Sequence, residues 1–212
     1  EARAQVLPYD DLRAAIDRAS VFRVGHCICR EEKALLGQPC RHPIETCLTL
    51  ASQPDAYTGV PPWGRTITKE EAHEVLDLAE REGLVHCTYN AQGDPMFVCN
   101  CCRCCCGILR GVSEFAAPNV LVRSNYVARV DTERCTSCGA CTDERCPVAA
   151  ITEGDGARVV DDARCIGCGA CAVACPAEAI RLASRSPAER SHPPKSVLHW
   201  ADVAAQVRPE TV

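Results

Sequence analysis

Eight cysteines between residues 135 and 176 fall in two matching runs. The first reads Cys135-x2-Cys138-x2-Cys141-x4-Cys146-Pro147 and the second Cys165-x2-Cys168-x2-Cys171-x3-Cys175-Pro176. Thiolates at every third residue of a short turning loop aim three sulfurs at one point, which lets the loop wrap one iron–sulfur cube. The fourth cysteine of each run stands beyond the loop, just before proline, and in this spacing it reaches across to the other cube. Cys135, Cys138, Cys141 and Cys175 are therefore expected to hold one [4Fe–4S] cluster, and Cys165, Cys168, Cys171 and Cys146 a second. The competing reading is a pair of zinc sites, but zinc asks for four tetrahedral ligands drawn from two CxxC-type pairs.

The stretch also repeats itself. Val130-Asp131-Thr132-Glu133-Arg134-Cys135 matches Val160-Asp161-Asp162-Ala163-Arg164-Cys165, and Pro147-Val148-Ala149-Ala150-Ile151 matches Pro176-Ala177-Glu178-Ala179-Ile180. With its two Cys-Pro-closed runs, the stretch from residue 126 to 183 resembles the bacterial two-cluster ferredoxin module. Each half is expected to give a strand, the cysteine loop, a short helix from the proline and a return strand. Gly139 and Gly169 sit where the backbone must turn tightly against a cube. Amide N–H groups there would point at cluster sulfurs, and Ile151, Ile166, Val173 and Ile180 would keep water away. One departure stands out: the first run has four residues, Thr142–Arg145, before its last cysteine, so a local bulge is expected.

Eleven further cysteines lie outside the two runs. The densest group is Cys99-Asn100-Cys101-Cys102-Arg103-Cys104-Cys105-Cys106, six thiols in eight residues, too many to be core filler. If helical, it puts Cys101 with Cys105 and Cys102 with Cys106; if extended, Cys102, Cys104 and Cys106 point together. With Cys27, Cys29, Cys40 and Cys47 these make candidate ligands for one or two more centres. Three readings are open: further iron–sulfur clusters, favoured by ligand softness and by the clusters next door; zinc on Cys27, Cys29, Cys40 and Cys47; or metal-free thiols. His26, His42 and His86 lie near cysteines, but a lone histidine is more often a surface or packed residue.

The N-terminal half is similar to a cysteine-rich region fused ahead of ferredoxin modules in bacterial 4Fe-4S binding proteins. The likeness rests on Cys27-x-Cys29-Arg30, on Gly83-Leu84-Val85-His86 closing a helix, and on Cys99-Asn100-Cys101-Cys102-x-Cys104-Cys105-Cys106, and covers residues 20 to 110. It implies iron–sulfur binding without a defined reaction. Cys87 is outside this pattern and is expected to be a structural thiol.

The elements that must position these residues read as follows. Leu12, Ala15, Ile16 and Ala19 give the helical spacing of one buried face over residues 9 to 19. Val21–Cys29 is expected to be extended, and residues 31 to 52 irregular or briefly helical. Residues 53 to 64 are rich in turn residues. Thr68 with Glu71 forms a capping box for a helix over 68 to 82, with Gly83 ending it. Leu84–Tyr89 and Met96–Cys99 read as a hairpin. Helix then hairpin is the ending of a winged-helix unit, and equally of other small α+β domains. The predicted organisation is α+β: a cysteine-rich domain over residues 1 to 112, the ferredoxin-like module with its pseudo-twofold over 126 to 183, and a linker with a last helix over 184 to 212.

Bulk properties narrow the function. Net charge is −5, and the helix over 68 to 82 carries Glu70, Glu71, Glu74, Asp77, Glu80 and Glu82, a face that repels phosphate, so nucleic acid is not expected as a partner. No run of about eighteen apolar residues is present, so no membrane span is expected. The charged first twenty residues have no signal-peptide core. The odd number of cysteines argues against a closed disulfide set, and low-potential clusters suit a reducing cytoplasm. There is no nucleophile–base pair, phosphate loop or dinucleotide fingerprint. The expectation is an electron carrier, or a relay subunit of a larger oxidoreductase, that serves redox partner proteins. An enzyme with an open-site cluster and a cluster-based redox sensor are the alternatives.

Overall fold

Leu12, Ala15 and Ile16 bury one side of helix α1 (Tyr9–Arg18), while Asp10 and Asp11 in its first turn and Arg18 in its last match the helix dipole. A second helix, α3 (Lys69–Arg81), lies against it and buries Ala72, Leu76 and Ala79. Its start is the expected capping box: Thr68 Oγ1 accepts from the Glu71 N–H, and the Glu71 carboxylate accepts from the Thr68 N–H at 2.9 Å. Polar contacts zip the two helices along their wet edges, from Asp77 to Tyr9 and Arg13 and from Asp17 to Lys69 and His73. The computed structural model describes residues 4–59, 63–115, 117, 120–142, 145–196 and 198–199.

Both helices cover one face of a seven-stranded sheet. Its strands are β1 (Ala4–Val6), β2 (Val21–His26), β3 (Glu45–Ala51), β4 (Arg65–Ile67), β5 (Val85–Tyr89), β6 (Phe97–Cys101) and β7 (Leu121–Val122), in the order β4-β2-β3-β6-β5-β1-β7. Pairing is antiparallel except where β1 meets β7. Phe22, Val24, Leu48, Leu50, Ile67 and Val98 meet Leu12, Ile16, Ala72 and Leu76 on the helical side. Strand side chains alternate between faces. The neighbours Cys47, Cys99, Cys101, Val85 and Cys87 therefore project to the other side.

Several sequence expectations change here. The 31–52 stretch contains a central strand, β3, whose alternation was hidden because Thr46, Cys47 and Leu48 are buried one after another on both faces. Strand β2 stops at His26, because Cys27 becomes the N-cap of α2 (Ile28–Leu35). The β5–β6 hairpin is not a free wing: β3 and β1 flank it on either side. Beyond the dense cysteines, α4 (Gly107–Ser113) leads to β7, so the chain returns to the sheet after residue 112.

The second half is built on two antiparallel ladders, β8 (Tyr126–Val130) with β11 (Ile180–Ser184), and β9 (Ile151–Glu153) with β10 (Arg158–Val160). The turns that open the two halves repeat the same hydrogen bonds. Asp131 N–H donates to the Ala179 carbonyl and Asp161 N–H to the Ala150 carbonyl. Each aspartate then accepts two amides of its own turn, Glu133 and Arg134 in one half and Ala163 and Arg164 in the other. A single short helix, α5 (Ala170–Val173), precedes Cys175. After β11 the chain makes a 3-10 turn at Pro187–Glu189, and the carbonyls of Pro193 and Pro194 receive hydrogen bonds from Gln92. The expected last helix falls on residues that, apart from Leu198 and His199, lie outside the described ones. Among the described residues no helix is long and apolar enough to cross a membrane.

Candidate iron–sulfur and metal centres

All nineteen cysteines are free thiols. In the second half, Cys146, Cys165, Cys168 and Cys171 line one cavity, closed by apolar groups that include Ile151, Ile166 and Leu182. These are the four cysteines that spacing assigned to one cluster. Burial pushes the Cys168 thiol well up, and burial followed by the neighbouring Cys146 and Cys165 pushes Cys171 up to about 12. A bare thiol at Cys168 or Cys171 would stay protonated, so loading with metal must expel those protons. Cys175 lies on the other side with Cys135 and Cys141. Cys135 and Cys138 are held below the usual thiol range by backbone amides, those of Arg158 and Ser137 at Cys135 and that of Ala140 at Cys138. Cys138 is exposed and marks the surface end of this group.

The fit to an iron–sulfur cube shows in the backbone. Gly139 (φ 82°) and Gly169 (φ 84°) adopt the left-handed conformation inside the loops, as the sequence predicts. The helices expected from Pro147 and Pro176 do not form. Instead Ala149 and Glu178 take positive φ values of 50° and 48°, and the chain doubles back. That turn lets the Ala150 amide donate to Cys146 Sγ and the Ala179 amide to Cys175 Sγ, both at 3.2 Å. Two strained non-glycine residues at equivalent places, each aiming an N–H at a sulfur, suit an anionic thiolate bound to a cluster. Ile151, Ile166 and Ile180 are buried as expected, but Val173 is 46% exposed and shields nothing. Arg185, 4% exposed, donates to the Ser124 and Cys165 carbonyls and puts a buried positive charge beside the second loop.

The bulge expected at Thr142–Arg145 falls on Asp143 and Glu144, which lie outside the described residues, but Arg145 beside them is described. Arg145 reaches out of the loop and donates to the carbonyls of Glu80 (2.8 Å), Arg81 (2.9 Å) and Ala170 (2.9 Å). The first two are carbonyls of the last turn of α3, where positive charge is favoured. One guanidinium thus ties the cysteine loop to the helix of the other half.

The N-terminal cysteines divide into two groups. Cys27 and Cys29 at the start of α2, Cys47 on β3, Cys99 and Cys101 on β6 and Cys106 before α4 form a ring. Cys27 neighbours Cys29 and Cys47, Cys29 neighbours Cys106, Cys47 neighbours Cys99, and Cys101 joins Cys99 to Cys106. Cys27 is held far down, first by Cys29 and then by Cys47, and both of those are driven up in turn. The second group is Cys40, Cys102, Cys104 and Cys105, whose sulfurs all lie within 4.8 Å of one another. The zinc set among the three open readings, Cys27, Cys29, Cys40 and Cys47, is therefore not assembled. Cys40, carried away by the loop after α2, stands apart from Cys27, Cys29 and Cys47. The three histidines are engaged elsewhere: His26 with Glu31, His42 with Glu82, and His86, kept neutral by burial, with Asn100.

Sequence reasoning missed Cys87. It pairs with Cys99 across the β5–β6 hairpin, lies against Cys101, and feels Cys106, Cys99 and Cys168. It therefore sits between the ring and the second ferredoxin-like loop. Cys87, Cys101, Cys106, Cys141, Cys146, Cys165 and Cys171 share one apolar core. Hairpin register was the signal that could have found it, since opposed residues share a face.

A family model described as a 4Fe-4S dicluster domain matches residues 128–176, and a second of the same description matches residues 164–207. Comparison with curated proteins and with solved structures gave no match. The chain thus carries 4Fe-4S dicluster domains within residues 128–207 behind a cysteine-rich N-terminal region in a mixed α/β fold, and the domains point to iron–sulfur electron transfer.

Proposed function

We propose that this chain is an electron carrier, or the relay subunit of a larger oxidoreductase. In this reading Cys135, Cys138, Cys141 and Cys175 hold one [4Fe–4S] cluster and Cys165, Cys168, Cys171 and Cys146 a second. The ring of Cys27, Cys29, Cys47, Cys99, Cys101 and Cys106 holds a third, polynuclear iron–sulfur centre. Such clusters, when bound, supply one-electron transfer.

The observation that carries the proposal is the unbroken run of sulfur through a single apolar core, with Cys87 between the ring and Cys168. The chain's own part is to hold the centres in line and dry. Ile151 and Ile166 exclude water, the Ala150 and Ala179 amides and the Arg185 charge favour the reduced state, and exposed Cys138 marks where a redox partner approaches. A substrate-binding open site would call for three sulfurs, and the ring offers six. Nineteen reduced thiols favour a reducing compartment such as the cytoplasm.

Anaerobic reductive titration followed by electron paramagnetic resonance tests the reading. Native protein is expected to show two ferredoxin-type signals and a third from the ring. Cys138→Ala should remove one ferredoxin signal and leave the third. Loss of the ring signal in that variant, or a native protein that accepts no electrons, would overturn the proposal.

A further inference from the structure

The quartet Cys40, Cys102, Cys104 and Cys105 differs in spacing from every other sulfur group described above. Cys40 Sγ lies 3.8 Å from Cys102 Sγ and 3.3 Å from Cys104 Sγ, and Cys104 Sγ lies 3.8 Å from Cys105 Sγ. A tetrahedral ion with metal–sulfur bonds of about 2.3 Å holds its four sulfurs about 3.8 Å apart. A four-iron cube puts two irons and a bridging sulfide between any two cysteine sulfurs, and so spreads them much wider. Among the described residues, neither ferredoxin-like quartet nor the ring gathers three sulfurs to this closeness. We infer that Cys40, Cys102, Cys104 and Cys105 bind one tetrahedral divalent metal ion as a mononuclear tetrathiolate centre, separate from the iron–sulfur centres.

A second observation points the same way. Arg30 is 2% exposed and donates to the carbonyls of Pro43 and Asn100 and to the Thr46 hydroxyl, and its side chain also hydrogen-bonds Cys102 of the quartet. Its Nε makes no hydrogen bond. The groups whose charge acts on it are Cys27, Cys102 and Cys40. A buried guanidinium without a counter-charge is costly. Four thiolates on a divalent ion carry a net charge of about −2, which would add to Cys27 as counter-charge for this guanidinium.

The site also has the architecture of a structural clamp. Cys40 comes from the loop after α2, and Cys102, Cys104 and Cys105 come from the turn between β6 and α4. Cys102 and Cys105 pack on Ala79 and Leu84 at the end of α3. One ion there would fasten two loops to a helix end, as closed four-thiolate sites do in small domains. The donor set suits zinc or a lone iron, and both ions fit the inference.

The test is metal and sulfide content of the full chain, purified anaerobically, native against Cys104→Ser and Cys40→Ser. Cys104 is exposed, so its substitution disturbs packing least. Loss of about one zinc per chain with iron and sulfide unchanged is the expected result, and loss of about one iron with no sulfide would assign the same centre to iron. Loss of about four irons with matching sulfide, or no loss at all, would overturn it. X-ray absorption on the native chain gives a readout independent of any variant. It should find four sulfur neighbours at about 2.3 Å around the single ion, and nitrogen or oxygen neighbours would refute the all-thiolate set.

Discussion

Replacing Arg145 by alanine tests how the two halves are held together. The guanidinium makes three hydrogen bonds, two to the end of α3 and one to Ala170 at the start of α5. Hydrogen bonds to a charged group contribute about 1.5–3 kcal/mol when well buried, and solvent-exposed ones less. Two of these are part-buried and one is exposed, and water can replace some of what is lost, so the expected cost is about 3 kcal/mol. For a chain of this size that lowers the thermal midpoint by about 6–12 °C. The assay is anaerobic circular dichroism of the cluster-loaded protein, with iron counted beforehand. Because Arg145 precedes Cys146, the iron count separates lost tethering from lost ligation: a full count with a lowered midpoint is the expected pattern. Arg145→Lys should recover only part of the loss, since one ammonium cannot reach three carbonyls with the same fork. Gly83→Ala should imitate the defect, because Gly83 has φ 74° and an added Cβ would lie 2.7 Å from Arg145 Nη1. A midpoint within about 2 °C of native for Arg145→Ala would refute the tether, since that corresponds to less than about 1 kcal/mol.

Other perturbations separate capping, packing and electrostatics. Thr68→Ala removes the cap of α3 and should cost about 1 kcal/mol, read as a drop of about 2–4 °C in the midpoint with the iron count unchanged. Gly167 has φ 68°, and a Cβ there would run into the Tyr126 carbonyl and the Ser124 hydroxyl, so Gly167→Ala should lose about four irons per chain as the second loop fails to close. Arg185→Gln removes a buried positive charge beside that loop and should make one midpoint potential more negative in a spectroelectrochemical titration. Cys87→Ala should leave iron content intact but move at least one potential, and unchanged potentials would remove Cys87 from the path between the ring and Cys168.

The ferredoxin-like half was legible because its chemistry is local. In each half three loop cysteines, a glycine before the third and a following proline lie within about a dozen residues, and the duplicated Val-Asp and Pro-x-x-Ala-Ile segments give away the pseudo-twofold. What stayed hidden there depends on backbone turned back over a sulfur. Ala149 and Glu178 have no residue-type signature for positive φ, so a helix after each proline was the natural expectation. The N-terminal half was harder, since its groups are assembled by sheet pairing. Cys47, Cys99 and Cys87 come together only through the order β3-β6-β5, and β3 was not recognised as a strand. Cys40 joins Cys102, Cys104 and Cys105 across more than sixty residues of sequence, a contact that no spacing rule reaches. Thr68–Glu71 and the α1 stripe were readable because each lies within one or two helical turns.

The account stands most directly on the iron and acid-labile sulfide content of the anaerobically purified chain. Two cubes and a polynuclear centre on the ring require more than about eight irons per chain, about twelve if the ring holds a third cube, with about as many sulfides. About eight of each would leave the ring empty and confine electron transfer to the ferredoxin-like half, contradicting the proposed relay.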